Sequence, residues 1–92
     1  MVKIFLYKNG FKAYNHTDPI ICSALSMLSI NTVNSIEALT DAKFTLESDE
    51  TGFMKFLLED DNKDAYLLLE SFKLGVYSIK ESYEEHIYIE RC

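Results

Sequence analysis

The chain has 92 residues, 48% of them hydrophobic, and carries 15 acidic against 9 basic side chains, a net charge of −6. This length suits one small domain with a single core, spanning residues 1–92. The acidic balance disfavours a protein that reads the nucleic-acid backbone, so no nucleic-acid partner is expected. It suits a cationic protein or peptide instead.

The first residues, MVKIFLYKNG, begin with a strand pattern and lack the apolar region of a signal peptide. No apolar run approaches the roughly 18–20 residues that span a membrane. We therefore expect no membrane partner and a cytoplasmic location. Thiols stay reduced there, so Cys22 and Cys92 are not expected to form a disulfide.

Alternating apolar residues predict a first strand over VKIFLY, and the Asn-Gly dipeptide that follows is preferred in a type I′ hairpin turn. The chain then returns over FKAYNH. A two-residue turn at this dipeptide would pair Lys8 with Phe11 and, counting outward, Lys3 with His16. The pattern therefore places His16 at the far rim of the hairpin, where a loop departs.

A long helix is predicted after this loop. Asp18 is a good N-cap, and Pro19 fits the first helical position because its missing N–H costs nothing there. Apolar residues recur at helical spacing from Ile20 to Leu39. Their face is wide, so the helix should touch more than one layer, either a second helix or another subunit.

The second half repeats this outline. AKFTLESDETGFMKFLLED predicts two strands joined by a turn, and DDNKDAYLLLESFKLGVYSIKESY predicts a helix with acidic residues near its start. Gly75, in the middle of this helix, is expected to permit close packing. EHIYIER predicts a last short strand. The order ββαββαβ predicts a two-layer α+β fold, with two helices packed on a small mixed or antiparallel sheet.

Cys22 is the candidate nucleophile, because it falls in the first turn of the first helix, where unpaired N–H groups and the helix dipole favour a thiolate. The same N–H groups could also hold an oxyanion. A short loop could bring His16 to the sulfur as its base. Ser26, one turn on, is a candidate for binding substrate or orienting the pair. Asp18 is a candidate third residue by proximity, although capping explains it equally well.

The same residues also allow an interpretation in which Cys22 is not catalytic. Free cysteine is among the most buried residue types, and Cys22 would then be core filler beside a solvated histidine. His16, Asp18 and Cys22 lack the paired cysteines or histidines of zinc sites, and the three glycines are too scattered for a phosphate loop. No metal and no cofactor are predicted.

NHT, IICSALSMLSINTVNSIEAL and DAYLLLESFKLGVYSIKESYEEHIYIE together resemble the ribosomal-processing cysteine proteases called Prp. Family members share a GHA-type motif, a short variable loop and a DIVCAAVSAL-like helix start. The resemblance implies a homodimeric α/β domain in which His16 and Cys22 are the catalytic pair and Ser26 matches the family's serine. It also implies a substrate, the precursor of large-subunit ribosomal protein number twenty-seven. That protein's N-terminal extension is removed after bulky aromatic residues, which implies an apolar subsite beside Cys22.

The chain departs from the family pattern around the histidine. Asn15 and Thr17 replace the glycine and alanine that flank it, Pro19 replaces an aspartate, and only five residues separate histidine from cysteine. An alternative alignment puts Phe11 at the histidine position. The chain would then be a catalytically inactive dimeric module that binds a ribosomal-protein tail without cleaving it.

Overall fold

The computed structural model describes residues 2–14 and 19–92, which form two helices on one face of a five-stranded sheet. The predicted α+β fold and element order are therefore confirmed. In chain order the elements are β1 (Val2–Tyr7), β2 (Gly10–Tyr14), α1 (Pro19–Leu39), β3 (Phe44–Ser48), β4 (Phe53–Leu58), α2 (Lys63–Ser82), a 3-10 turn (Glu84–His86) and β5 (Ile87–Arg91).

The sheet is mixed, with strand order β3-β4-β2-β1-β5. The β1 and β5 strands are parallel, and the other three neighbouring pairs are antiparallel. The two edges are therefore β3, from the second strand pair, and β5, which enters after α2. Each helix connects two parallel strands that are not neighbours, so both helices cross the same face of the sheet.

The register of the first hairpin differs from the prediction. Tyr7 pairs with Gly10 and Lys3 pairs with Tyr14, so the turn lies one residue earlier than expected. The pairing of Lys3 with His16 is therefore wrong. The described strand ends at Tyr14, and His16 falls outside the described residues.

The position of Gly10 explains this shift. Gly10 is the first residue of β2, and a Cβ atom there would collide with the backbone carbonyl oxygen of Phe56 on β4. The neighbouring Asn9 is tied to the same strand, because the Leu58 N–H donates to its carbonyl oxygen at 2.7 Å. A glycine is therefore required at this position because two strands approach closely. Gly10 does not adopt the positive φ of the predicted turn. Among the described residues, Gly52 alone has a positive φ, 92°.

The core lies between the sheet and the helices and is centred on stacked aromatic rings. Phe11 on β2 stacks on Phe72 of α2, with ring centroids 4.1 Å apart, and on Phe56 of β4 at 5.7 Å. All three rings are buried. Such pairs contribute about 0.5–1.5 kcal/mol beyond the burial of their area. These contacts hold α2 above the middle of the sheet.

The two helices pack side by side at Gly75. A Cβ atom at this position would lie 2.8 Å from Cδ2 of Leu28 on α1. Real Cβ atoms do not approach so closely, so a larger residue would force the Leu28 side chain to move. The prediction that Gly75 permits close packing is confirmed.

By length and composition alone, α1 could cross a membrane, since its most apolar 18-residue window has a mean hydropathy of 1.3. This finding corrects the expectation that no segment approaches that length. One face of α1 is buried against the sheet and α2, as in the core helix of a two-layer domain. The buried residues are Ile21, Leu25, Ser29, Thr32, Val33 and Ile36.

The opposite face of the sheet carries aromatic rings and lysines. The Lys12 ammonium lies 4.9 Å from the ring centre of Phe5 and 5.7 Å from that of Tyr14, within cation–π range. Desolvation lowers the pKa of Lys12, but its charge and hydrogen-bond interactions with Tyr7 and Tyr14 raise this pKa overall. These charged and aromatic side chains cover one another on this face of the sheet.

Candidate active site

Cys22 is the fourth residue of α1 and lies in its first turn, as predicted. The thiol forms no disulfide. The Cys22 side chain is half-buried and packs against the hydrophobic core. Ser26 follows one helical turn later and is also half-buried. The two side chains are about 40° apart around the helix axis, so they share one flank of α1.

The contact between the helices shows which flank this is. Leu28 meets Gly75, so α2 lies on the Leu28 side of α1. At 100° per residue, Cys22 is about 120° around the helix from Leu28. Cys22 and Ser26 therefore lie on the flank of α1 that faces away from α2.

The strands under each helix show which sheet edge this flank faces. Phe72 of α2 stacks on Phe11 of β2, and the Lys80 ammonium donates to the Ile87 carbonyl oxygen of β5 at 2.8 Å. The α2 helix therefore covers the β2-β1-β5 side, which leaves α1 over the β2-β4-β3 side. The flank that carries Cys22 consequently faces the β3 edge.

The floor beside this flank is apolar and incompletely covered. Leu46 of β3 lies directly opposite the buried Phe56, and Met54 of β4 lies opposite Ser48. Residues directly opposite each other share a face of the sheet, so Leu46 points toward the helix layer. Leu46 is nevertheless 42% exposed, because α1 does not reach over it. Met54 is half-buried.

We call the surface between Cys22 and Ser26 on α1 and Leu46 and Met54 on the sheet the α1–β3 groove. The β2 and β3 strands run parallel, because each is antiparallel to β4. The start of α1 follows the end of β2, so the end of β3 at Ser48 lies at the same end of the sheet as Cys22. The groove therefore combines a thiol, a hydroxyl and an apolar floor.

The other predicted site residues, His16 and Asp18, lie outside the described residues, so the pairing of His16 with Cys22 stays a prediction. The second histidine of the chain, His86, is exposed in the 3-10 turn before β5. Its backbone N–H donates to the Tyr83 carbonyl oxygen at 2.9 Å. The β5 strand forms the sheet edge opposite β3. His86 therefore belongs to the flank away from Cys22.

A second concave surface lies at the end of α2, where a cavity of about 240 Å³ is lined by Tyr77, Lys80, Glu81 and Glu84. Neither Cys22 nor Ser26 lines this cavity. In residues 2–14 and 19–92, no group of three or more His, Cys, Asp or Glu side chains is placed to hold a metal ion.

The sequence analysis did not single out Leu46 and Met54. Their alternation with polar neighbours is typical of any half-buried strand, so the sequence pattern gives no sign that the helix layer stops short of them. That exposure depends on the lateral position of α1, which packs against α2 where Leu28 meets Gly75. No local signal could have identified these two residues.

Known proteins resemble this chain in sequence and in fold. The model of the family described as "Cysteine protease Prp" matches residues 2–88. A search of curated proteins finds no match.

Two similar crystal structures are of an essential ribosomal processing protease Prp from S. aureus. One is in complex with a covalently linked product peptide, at 22% identity and a TM-score of 0.93. The other is in complex with a substrate peptide, at 20% identity and a TM-score of 0.93. Each match covers 100% of both chains. SMU.848 from Streptococcus mutans is 26% identical over 99% of this chain and 93% of its own, with a TM-score of 0.87.

Proposed function

Because this chain belongs to the cysteine protease family Prp, we propose that it is a cysteine endopeptidase of ribosome maturation with Cys22 as its nucleophile. The observation that carries this proposal is the free, half-buried thiol in the first turn of α1, on the flank that faces the partly exposed Leu46 of β3. A peptide in the groove could reach the sulfur from that side.

The proposed reaction has two steps. His16 takes the proton of the Cys22 thiol, and the sulfur attacks the scissile carbonyl carbon to form a thioester. The His16 imidazolium then gives its proton to the leaving amine. In the second step His16 takes a proton from water, the resulting hydroxide attacks the thioester, and the acid product and free thiol are released.

The position of the second histidine, His86, supports His16 as the base. The chain has two histidines, and His86 lies at the β5 edge, away from the flank that carries Cys22. His16 precedes Cys22 by six residues, on the connection that leads into α1. Ser26 is proposed to bind the substrate or orient the pair, and Asp18 is retained as a third residue because of its proximity alone.

The proposed substrate is the precursor of large-subunit ribosomal protein number twenty-seven, cleaved after the aromatic end of its N-terminal extension in the cytoplasm. Family membership and the two S. aureus complexes with peptides support this choice. Ribosomal proteins are basic, and the net charge of −6 on this chain complements them. The exposed Leu46 offers an apolar surface for an aromatic side chain.

The test is incubation of the reduced protein with a synthetic peptide that spans the extension and the first residues of the mature protein, followed by mass measurement. We expect one cut after an aromatic residue. Cys22→Ala should abolish cleavage and leave the circular dichroism spectrum unchanged, whereas Cys92→Ala, at the exposed second cysteine, should cleave normally. If the wild-type protein binds the peptide and leaves it intact, the inactive binding module is the correct function.

We also propose that the chain forms a homodimer through the outer surface of its helix layer. Met27 on α1 and Leu74 on α2 are 69% and 70% exposed, and Ile20 and Leu67 lie one heptad before them on the same faces. Four large apolar side chains on adjoining helices form a patch of the kind that marks a protein interface. A second copy would cover this patch by two-fold symmetry.

The homodimer is tested by sedimentation. We expect a dimer for the wild-type protein and a monomer for Leu74→Glu, because a charge at the centre of an apolar interface opposes its burial. Tyr88→Glu, a matched change at another exposed apolar residue on the far face of the sheet, should stay dimeric. A wild-type monomer at about 100 μM, roughly 100-fold above a micromolar dissociation constant, would rule the dimer out.

A further inference from the structure

The outer edge of β3 presents backbone groups that no other strand uses. Glu59 N–H donates to the Lys43 carbonyl oxygen at 2.8 Å, and Asp49 N–H donates to the Phe53 carbonyl oxygen at 3.2 Å. In an antiparallel pair, alternate residues exchange hydrogen bonds with the neighbouring strand. The odd-numbered residues of β3 therefore bond to β4, and the N–H and C=O groups of the even-numbered residues point away from the sheet.

The even-numbered residues are Phe44, Leu46 and Ser48, and their backbone groups form a free edge. Within residues 2–14 and 19–92, no backbone or side-chain hydrogen bond covers this edge. Free edges are a liability that folds usually protect with charges, bulges or covering elements. Here the inner side of the edge is apolar at Leu46, and the edge runs toward the end of the sheet where Cys22 lies.

We propose that the substrate binds as a sixth strand on the free edge of β3, with an apolar side chain resting on Leu46 beneath the flank of α1. This inference rests on the proposed function and specifies how the substrate reaches the same site. An extended peptide on a sheet edge gains its affinity from main-chain hydrogen bonds and its specificity from alternate side chains. Leu46 is then the residue that selects an apolar side chain.

Charge around the edge fits a basic occupant. Glu47 lies on the outer face of β3, and Asp49 and Glu50 lie in the turn that follows, all three exposed. A peptide from a basic ribosomal protein would meet these carboxylates while its backbone pairs with β3. The edge therefore fits a cationic substrate.

The binding test uses the Cys22→Ala protein and the same extension peptide, so that binding is measured without cleavage. Amide hydrogen exchange is followed by NMR, residue by residue. We expect the peptide to slow exchange at Phe44, Leu46 and Ser48 at least tenfold, because their N–H groups gain partners. Exchange at the odd-numbered β3 residues, already bonded to β4, should change little.

Variants then test the side-chain contact. In the Cys22→Ala background, Leu46→Ala should weaken peptide binding about tenfold, since a partly buried leucine contact is worth roughly 1.4 kcal/mol. Leu39→Ala is the matched control, because Leu39 is 72% exposed at the far end of α1. Peptides N-methylated at single positions should lose affinity at alternate residues only, because every second peptide N–H faces β3.

The outcomes separate this inference from the proposed function. Alternating protection on β3, with binding sensitive to Leu46, supports strand addition whether or not the wild-type protein cleaves. Peptide that binds without protecting β3, or that does not bind up to about 1 mM, which is barely 4 kcal/mol of affinity, overturns strand addition. Cleavage by the wild-type protein is read separately, so the protease assignment survives that result.

Discussion

On one side of the helix layer, the Lys80 side chain of α2 reaches β5, whereas on the other side α1 leaves Leu46 of β3 partly exposed. The Lys80 ammonium donates to the Ile87 carbonyl oxygen, and Lys73, one heptad before it, is only 6% exposed and pairs with Glu70 at 3.3 Å. The corresponding flank of α1 carries Cys22 and Ser26. We call these the closed flank and the open flank.

The closed flank contributes to stability, and the open flank is the proposed substrate-binding surface. The two halves of the chain share the outline ββα, and each helix has one flank that faces a sheet edge. On the closed flank, lysine stems cover apolar surface while their charged ends find acceptors. On the open flank, Leu46 keeps contact with water, which gives up hydrophobic stabilisation. The uncovered β3 edge and the Cys22 thiol on this flank are the features expected of a surface that binds a substrate.

The largest predicted effect comes from closing the open flank. Ser26→Phe places a ring at a half-buried position one turn after Cys22, where it would occupy the α1–β3 groove. We expect peptide cleavage to fall about a hundredfold, because displacing a bound substrate by roughly 1 Å has effects of that size. The melting temperature should change little, since the new ring fills open space.

Leu39→Phe is the matched control for this prediction, because it also adds a ring on α1 but Leu39 is 72% exposed at the far end of that helix, away from the groove. This variant should cleave at the wild-type rate. If Ser26→Phe also cleaves normally, the groove is not the route of the substrate, and the contrast between the two flanks has no functional meaning.

The sequence predicts the open flank in part. The placement of Cys22 in the first helical turn follows from Pro19 and the apolar spacing after it, which are local signals. The exposure of Leu46 depends instead on the lateral position of α1, which packs against α2 where Leu28 meets Gly75. These residues are far apart in the chain, so no local pattern reports their contact. The histidine partner of Cys22 remains a prediction from the sequence and the family.

The strand pairing shows the same limit. The sequence pattern predicted all five strands, but the Asn-Gly dipeptide placed the first turn incorrectly. Gly10 is required where β2 approaches the carbonyl oxygen of Phe56, a residue 46 positions later in the chain. A contact of such long range overrides a local turn preference, because the backbone collision is far more costly than the loss of a favoured turn type. Local propensity therefore predicted the elements better than their register.

Opening the closed flank should have a smaller effect, and on stability alone. Lys80→Met keeps most of the stem but removes the ammonium that bonds to the Ile87 carbonyl oxygen. Hydrogen bonds to charged groups contribute about 1.5–3 kcal/mol, so urea unfolding should show a loss in that range. Cleavage should be unchanged. Lys63→Met, at an exposed lysine in the first turn of α2, is the control; equal losses in both variants would contradict a closing role for Lys80.

The smallest predicted effect concerns the start of α2, on the closed side of the comparison. The Asn62 side chain caps this helix by accepting a hydrogen bond from the Ala65 N–H at 3.0 Å. Asn62→Ala should lower the free energy of unfolding by about 1 kcal/mol, and Asn62→Asp should retain it, because aspartate caps equally well. Urea unfolding measures both changes. Peptide affinity should stay the same in both variants, because the open flank is formed by α1 and β3. A loss of affinity in Asn62→Ala would show that the two flanks are coupled through the packed helices, and that the closed side also shapes the site.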